Sequence, residues 1–302
     1  MALFGNYDTP GRGVLKTPHE KKGFFKFWEI YGRHFWKLIQ LNLIYFIFCI
    51  PLFLMLLLIL GINGEFRTVY LLLAIPSVII GPATAAMMKI ARNFSQERPC
   101  FVVHHFNEAL KKNFKQGIIM GIIDVIFIMG FFVGIPIYKQ WASQNSVMYI
   151  PYIICLVCMI MFFMMHFYIY LMICSTNLNM RQIIKNSFYL VSLGIKESLW
   201  TLLAIVLVAA VIYLFMPYSF FIVPFWPLTF IGFIQCFNCY PVIRKHVIQP
   251  YYDQRGEENP EFNYRKASPD EALFEDKAAE ETAPPKKDKK QSHGHGKGKT
   301  IS

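Results

Sequence analysis

The chain has 302 residues, of which 55% are hydrophobic, 17% aromatic and 16% charged. This composition excludes an ordinary soluble domain, which needs more polar surface than these residues supply, and predicts a protein embedded in a lipid bilayer. The formal net charge is +11, and we expect the bilayer, rather than a nucleic acid, as the partner of these charges. The first apolar run is longer than a signal-peptide core and lacks a small-residue cleavage site, so no processing is expected.

Residues 1–34 are predicted to form a cytoplasmic segment that carries a helix on the membrane surface. Thr17, Pro18 and Glu20 supply a cap, a proline at the first helical position and a carboxylate three residues after the cap, which indicate a helix start. The apolar residues that follow recur at helical spacing, with charges on the opposite face. They are Phe24, Phe27, Tyr31 and Phe35.

Residues 35–248 are predicted to form an all-α integral membrane domain of six transmembrane helices. The predicted spans cover about 35–60, 69–90, 117–138, 147–173, 199–215 and 219–240. Positive charge marks the cytoplasmic side, and the predicted outer side carries only Arg67 and Lys139. Both termini of this multi-pass cell-membrane protein are therefore expected in the cytoplasm.

Tryptophans are expected at the two membrane boundaries. Trp28, Trp36 and Trp200 are predicted at the inner boundary, and Trp141, in a short loop, and Trp226 toward the outer one. The tryptophan pattern and the charge pattern therefore predict the same orientation.

The second predicted span contains a run of small residues that we call the packing hub. It consists of Gly81, Pro82, Ala83, Thr84, Ala85 and Ala86. Small residues let neighbouring helices approach closely in lipid, whereas proline removes a helical N–H and predicts a kink. A tolerated proline kink is the alternative interpretation, and it accounts for Pro82 but less well for the small residues beside it.

Two further cytoplasmic amphipathic segments are predicted, at about 92–116 and 175–198. In the first, Val103, Phe106, Leu110 and Phe114 recur on one face, as in a helix that lies in the membrane interface. Lysines on its other face are expected to meet the lipid surface. They are Lys111, Lys112 and Lys115.

A weak internal repeat is visible, because each cytoplasmic surface helix precedes an outward span. The aromatic residues Phe27, Phe106 and Phe188 are separated by 79 and 82 positions, which predicts three units of a surface helix and a helical hairpin. The alternative is that any amphipathic helix before a span gives this pattern without shared ancestry.

These stretches resemble the YesL-like membrane proteins of Gram-positive bacteria, a family of undefined molecular function. The resemblance spans roughly residues 1–250 and rests on the packing hub, Ala91-Arg92-Asn93, the Phe106 to Gln116 helix, and the segment Phe24 to Pro51 with Asn42 and Pro51 at favoured positions. Members are often encoded beside carbohydrate uptake systems. The resemblance therefore implies a role accessory to such a system, with carbohydrate transporter membrane subunits as partners.

Residues 249–302 are charged and poor in large apolar side chains, and are predicted to form a disordered cytoplasmic tail. Within it, Ser268 opens a short acidic segment that could become helical or dock on a partner. The lysines from Lys286 to Lys290 could hold the tail against anionic lipid. A solvated tail without a partner is the plainer interpretation.

Ionisable residues inside spans are costly and are often functional. Asp124 and His166 are expected at matching depths in neighbouring spans, with Asn42 at a similar depth and Gln235 near the inner end of the last span. We hypothesise that these four residues form a polar layer in the inner half of the bundle. Alternatively, Asp124 is wetted near the interface and His166 bonds a backbone carbonyl.

Catalytic motifs are missing from the sequence. It has no phosphate-binding glycine loop, nucleophile elbow or zinc-protease motif, so we expect no enzyme and no cofactor. The pairs Cys155/Cys158 and Cys236/Cys239 have metal-ligand spacing, but their predicted depths differ too much for one metal ion to reach both, so no metal site is expected.

Two functions remain open on the sequence. The first is a non-catalytic membrane protein, accessory or regulatory to a membrane system such as carbohydrate uptake. The second is a small-solute or ion transporter that uses the polar layer, and Asp124 is then the residue expected to control flux.

Overall fold

The computed structural model describes residues 23–61, 76–216, 218–257 and 259, which form helices and turns without a strand. The chain divides into two units, Met1–Ile248 and Gln249–Ser302. The predicted helix start at Thr17, the Ser268 segment and the Lys286 to Lys290 cluster lie outside the described residues.

The described part of the first unit contains nine α-helices. They are α1 (Gly23–Arg33), α2 (Phe35–Gly61), α3 (Ile80–Ser95), α4 (Val102–Lys112), α5 (Phe114–Gln144), α6 (Tyr149–Ser175), α7 (Met180–Leu193), α8 (Ile195–Leu214) and α9 (Pro227–Ile243). In the second unit, α10 (Gln249–Arg255) is helical, so the tail predicted to be disordered begins with a helix.

Four described segments are long and apolar enough to cross a membrane: Phe35–Leu54, Phe114–Gln144, Ser146–Ser175 and Ile195–Leu214. They make this a membrane protein, and they coincide with the first, third, fourth and fifth predicted spans. The second predicted span lies partly outside the described residues. The sixth corresponds to α9, which has 17 residues, most of them buried.

A single residue outside the regular helix joins each short helix to the long helix that follows it. These junction residues are His34, Asn113 and Gly194, spaced 79 and 81 residues apart. Each donates its N–H to the carbonyl four residues earlier and accepts from the N–H four residues later, at 2.8 to 3.2 Å. Hydrogen bonding is therefore continuous through each junction.

The junctions define three units, each with a short helix, an outer helix and a central helix. The central helices α3, α6 and α9 contact one another, and a 3₁₀ turn lies before each of them. Among the outer helices, α2 contacts α3 and α9, α5 contacts α3 and α6, and α8 contacts α9 and α6. The described part of the first unit thus has an approximate threefold arrangement, which favours the predicted repeat.

The short helices also pack on central helices. Helix α4 packs on α3 and α7 packs on α6, the central helix of the preceding unit in each case. The first short helix, α1, places the rings of Phe27 and Tyr31 within 5.2 to 6.1 Å of Phe230 and Phe233 on α9. Helix α1 therefore closes the ring of three units.

Equivalent positions of the outer helices face the interior. They lie four, seven and eleven residues after the junction. These positions are Leu38, Leu41 and Tyr45 in α2, Gly117, Met120 and Asp124 in α5, and Ser198, Thr201 and Ile205 in α8. All are buried except Asp124, which is half-buried. Each outer helix therefore turns the same face to the interior, because intervals of four, seven and eleven residues match the helical period.

The packing hub begins α3, where it meets α5. Five of its residues are buried, and Thr84 is half-buried. A methyl group on Gly81 would collide with the carbonyl oxygen of Gly117, and one on Gly121 with the carbonyl oxygen of Val78. The backbones of α5 and of the chain entering α3 therefore touch directly, as small residues permit.

Pro82 does not kink a continuous helix. It is the third residue of α3 and follows the 3₁₀ turn Pro76–Ile79. The N–H groups of the first helical turn have no acceptor within the helix. Proline, which lacks an N–H, is therefore accommodated there.

The buried face of α4 differs from the predicted one. Val102, Phe106 and Ala109 are buried, whereas Val103 is 51% exposed. Phe114 of the predicted stripe begins α5 and is 45% exposed. The helix is rotated because it packs on α3 as well as facing outward, so only Phe106 of the predicted stripe is fully buried.

The placement of Trp226 at the boundary opposite α1 is wrong. Its indole N–H donates to the Tyr31 hydroxyl of α1 at 2.7 Å, so the two residues lie on the same side. The preceding chain folds back against α2, where Asn42 donates to the carbonyl oxygens of Val223 and Pro224 at 3.0 and 2.6 Å. Trp141 lies in the last turn of α5 rather than in a loop.

The glycine contact can be tested by two matched substitutions on α5. Gly121→Ala should lower the free energy of unfolding by about 1–3 kcal/mol, because the added methyl overpacks against Val78. Gly130→Ala should leave stability unchanged or raise it by up to about 1 kcal/mol, because Gly130 has open space around it. Thermal unfolding of both variants in the same detergent measures the difference, and equal melting temperatures would contradict the contact.

His34 gives a pH-dependent prediction. Its ring stacks on Phe94 with centroids 4.7 Å apart. Burial, with smaller contributions from Lys37 and Arg33, lowers the pKa of His34 below its ordinary value, against an opposing contribution from Glu97. As pH falls below about 6.5, the unfolded chain therefore binds a proton before the folded chain does, and stability decreases.

The loss of melting temperature between pH 7.5 and pH 5.5 should be smaller in His34→Phe, which keeps a ring against Phe94 but cannot be protonated. His104→Gln, at an exposed histidine of α4, should retain the wild-type pH dependence. An unchanged slope in His34→Phe would show that His34 does not contribute.

Candidate functional site

Asp124, His166 and Tyr170 form a hydrogen-bonded cluster between α5 and α6. His166 Nε2 lies 2.7 Å from Asp124 Oδ1, and the Tyr170 hydroxyl donates to Asp124 Oδ2. His166 Nδ1 bonds the carbonyl oxygen of Phe162 at 2.7 Å. The side chains of Asp124 and His166 are only 18% and 19% exposed, so the cluster lies largely inside the bundle.

The cluster follows from helical register. Asp124 is eleven residues after its junction, on the inward face of α5. Phe162, His166 and Tyr170 are spaced four residues apart and share one face of α6. The Phe127 ring stacks on Phe162 at 4.1 Å, which holds the two helices together beside the cluster.

Hydrogen-bond polarity shows that the Asp124–His166 pair holds one shared proton. A carbonyl oxygen only accepts, so Nδ1 of His166 carries a hydrogen toward Phe162. The short Nε2–Oδ1 contact needs a second hydrogen, which lies either on the imidazole or on the carboxyl group. One hydrogen therefore lies between the two side chains, whichever of them carries it.

Cavities lie on both sides of this cluster. The first, of about 330 Å³, lies between α5 and α6 and is lined by Asp124, His166 and apolar side chains that include Phe131 and Met159. The second, of about 200 Å³, is lined by residues of α2, α3, α6 and α9. His166 lines both, so the cluster forms part of the wall between them.

The structure brings together three of the four residues of the predicted polar layer. Asp124 and His166 are bonded, and Gln235 lines the second cavity with His166. Asn42 does not belong to this group. It donates to the carbonyl oxygens of the chain before α9, and its Oδ1 accepts from the Thr229 N–H at 2.8 Å. Asn42 thus holds the start of α9 against α2.

Sequence reasoning missed Tyr45, Thr84 and Tyr170 as polar members of this region. Tyr170 follows His166 by four residues, a helical spacing that could have identified it. Tyr45 bonds Thr84 at 2.8 Å, and neither carries a sequence signal stronger than a tyrosine or threonine in an apolar run.

The predicted basic surface lies apart from the cluster. Lys111, Lys112 and Lys115 are exposed and line a polar concavity of about 400 Å³ together with Gln116, Thr176 and Asn177. The Gln116 side chain donates to the carbonyl oxygen of Leu178 at 3.0 Å. This bond ties the start of α5 to the loop before α7.

Within the described residues, no group of three or more histidine, cysteine or acidic side chains could hold a metal ion. The cysteines of the two predicted pairs differ in setting, since Cys158 is exposed whereas Cys236 and Cys239 are buried. Cys236 lies 3.6 Å from the Met88 carbonyl oxygen, and Cys239 lies 3.6 Å from the Thr201 hydroxyl. Both have partners within the helix packing.

Comparison with protein families matches part of the chain to a family. The family described as "Protein of unknown function, DUF624" matches residues 52–135. The matched residues include the packing hub, the three lysines and Asp124, and end before His166, Tyr170 and Gln235. No curated protein matches the chain, and no solved structure matches it.

The hydrogen bonds of Asp124 predict different effects for two substitutions. Asp124→Asn should fold normally, because its amide can accept from Tyr170 and donate to His166 Nε2. Asp124→Leu should lose about 1–3 kcal/mol relative to Asp124→Asn, because it leaves both partners unpaired. Thermal unfolding in detergent compares them, with Asp253→Leu as the control at an exposed carboxylate. Equal stability of the Leu and Asn variants would contradict the cluster.

Proposed function

We propose that this is a non-catalytic membrane protein that moves a small polar solute or ion, and that the proton shared by Asp124 and His166 takes part. The observation that carries the proposal is the position of this pair between two cavities. Ionisable groups inside membrane bundles commonly mark substrate pathways and proton relays. An ionisable pair that shares a hydrogen between two cavities is suited to such a role.

The proposed topology has six crossings. The second contains α3, and the sixth consists of the chain that folds back against α2 and continues as α9. Each unit then contains two crossings and returns the chain to the side on which it began. In this topology both termini lie on one side, and the distribution of Lys and Arg supports the cytoplasmic side. In this topology the protein is a multi-pass protein of the cell membrane.

A role accessory to carbohydrate uptake is the second candidate. It rests on the resemblance to YesL-like proteins, since the family that matches residues 52–135 is described as of unknown function. The partners would be membrane subunits of a carbohydrate transporter, which could dock on the exposed polar faces of the short helices.

Uptake by proteoliposomes tests the first candidate. Vesicles that contain the purified protein should take up at least one of three radiolabelled probes, sodium, rubidium or glucose, under an imposed pH gradient. Asp124→Asn should reduce the initial rate by at least about tenfold, because its amide keeps the hydrogen bonds but cannot exchange the proton. Asp253→Asn makes the same chemical change at an exposed carboxylate and should leave the rate unchanged.

Uptake that persists in Asp124→Asn would overturn the role of the pair. Uptake of none of the probes by the wild type, with carbohydrate transporter subunits retained in a mild-detergent pull-down, would favour the accessory role instead.

A further inference from the structure

The polar concavity beside the junction residue Asn113 carries positive charge without a counter-charge. Lys111, Lys112 and Lys115 line it, and no carboxylate does. Glu108, the nearest carboxylate along α4, lies 3.7 Å from the Lys89 ammonium group of α3. Among the described residues, none of the three lysines has an ion-pair partner.

The spacing of the lysines favours a bound anion. Lys111 and Lys115 are four residues apart on a path along which helical hydrogen bonding continues through Asn113. Like charges at this spacing repel each other and destabilise a helix. An anion between the ammonium groups would replace this repulsion by attraction.

Asn113 supplies a second, independent indication of a ligand. It lines the concavity, is only 7% exposed and does not cap α5 with its side chain. Its amide group makes no hydrogen bond to another described residue, yet keeps accessible surface. Because buried amides are normally hydrogen-bonded, this amide is available to donate to a ligand in the concavity.

The loop between α6 and α7 forms the opposite wall of the concavity. The bond from Gln116 to the Leu178 carbonyl oxygen holds this loop against α5. The Thr176 hydroxyl donates to the Met172 carbonyl oxygen at 2.8 Å, so its oxygen remains as an acceptor. The exposed amide of Asn177 adds a further donor.

The size and position of the concavity restrict the ligand further. Its volume of about 400 Å³ lies within the range of about 300–1,000 Å³ for small-molecule sites. Ammonium and amide donors suit the oxygens of a phosphate group, and the Thr176 oxygen suits a hydroxyl group attached to it. The concavity adjoins the ends of two apolar segments, Phe114–Gln144 and Ser146–Ser175, a position at which basic pockets bind lipid head groups.

We propose that the polar concavity binds a phosphate ester of a small polyol. The lysines contact the phosphate oxygens, and Asn113 donates a hydrogen bond to them. Soluble glycerol phosphate and the head group of phosphatidylglycerol share this chemistry. The site does not involve Asp124 or His166, so it is independent of the proposed transport function.

The test is thermal unfolding of the full chain in a nonionic detergent. One arm adds glycerol 3-phosphate, with sodium chloride at matched ionic strength as the reference. The other arm adds phosphatidylglycerol to the micelles, with phosphatidylcholine as the reference. At saturation at least one of them should raise the melting temperature by about 2 °C or more, because a ligand that binds only the folded state stabilises it.

The two arms distinguish the source of the phosphate ester. A rise with glycerol 3-phosphate assigns a soluble ester to the site, and a rise with phosphatidylglycerol alone assigns a lipid head group. No rise in either arm would overturn the site.

The double variant Lys112→Gln, Lys115→Gln should lose the response. The control double variant Lys196→Gln, Lys245→Gln removes the same charge at exposed lysines outside the concavity and should respond like the wild type. Lys196 is a matched position, since it follows its junction residue by two residues, as Lys115 does. An equal rise in the Lys112, Lys115 variant would identify a general effect of salt or charge and would overturn the site.

Asn113→Ala tests the specific contact rather than the charge. The concentration of the responding ligand that gives half of the maximal rise should increase at least about fivefold. The melting temperature without ligand should change by less than about 2 °C, because the amide has no partner to lose. Asn107→Ala, at an exposed asparagine of α4, should behave like the wild type. An unchanged concentration dependence in Asn113→Ala would contradict the proposed site.

Discussion

The direct contact of backbones between α5 and the chain entering α3 sets the geometry of the interior. Gly81, Gly117 and Gly121 leave no room for a side chain at this contact. Because α5 is held so close to α3, its inward face is fixed in rotation, and Asp124 lies one turn beyond Gly121 on the neighbouring part of that face. The hydrogen bonds to His166 and Tyr170 then fix α6 at the same level. The close packing of α5 against α3 and the hydrogen bonds between α5 and α6 thus depend on each other.

Groups inside the bundle show how polar residues are tolerated where water is scarce. Asn42, Thr84 and Tyr170 each direct their hydrogens to a partner within the protein, as an apolar environment demands. Gln235 departs from this rule, since its oxygen lacks a partner among the described residues. His34 Nε2, Gln96 Oε1 and the Ser219 hydroxyl are also buried without a partner among the described residues, so the rule has exceptions at several places.

Composition and periodicity predicted the helical class, the membrane character and the proximity of Asp124 to His166. These properties depend on runs of residues or on costly groups, which are visible in one sequence. The rotation of α4, the partner of Trp226 and the role of Asn42 could not be predicted, because each depends on which helix lies beside it. The junction residues could not be predicted either, since His34, Asn113 and Gly194 have no chemistry in common. Their shared geometry comes from helix packing.

The closure of the ring by α1 on α9 links the beginning of the chain to its last central helix. During synthesis α1 emerges first, and its partner aromatic residues Phe230 and Phe233 emerge roughly two hundred residues later, a delay of about 10–40 s at ordinary elongation rates. Throughout that interval the aromatic face of α1 has no protein surface to pack against. The membrane interface, which accepts aromatic rings, can bury this face until α9 has been synthesised. The contact between α1 and α9, at the two ends of the bundle sequence, then completes the assembly.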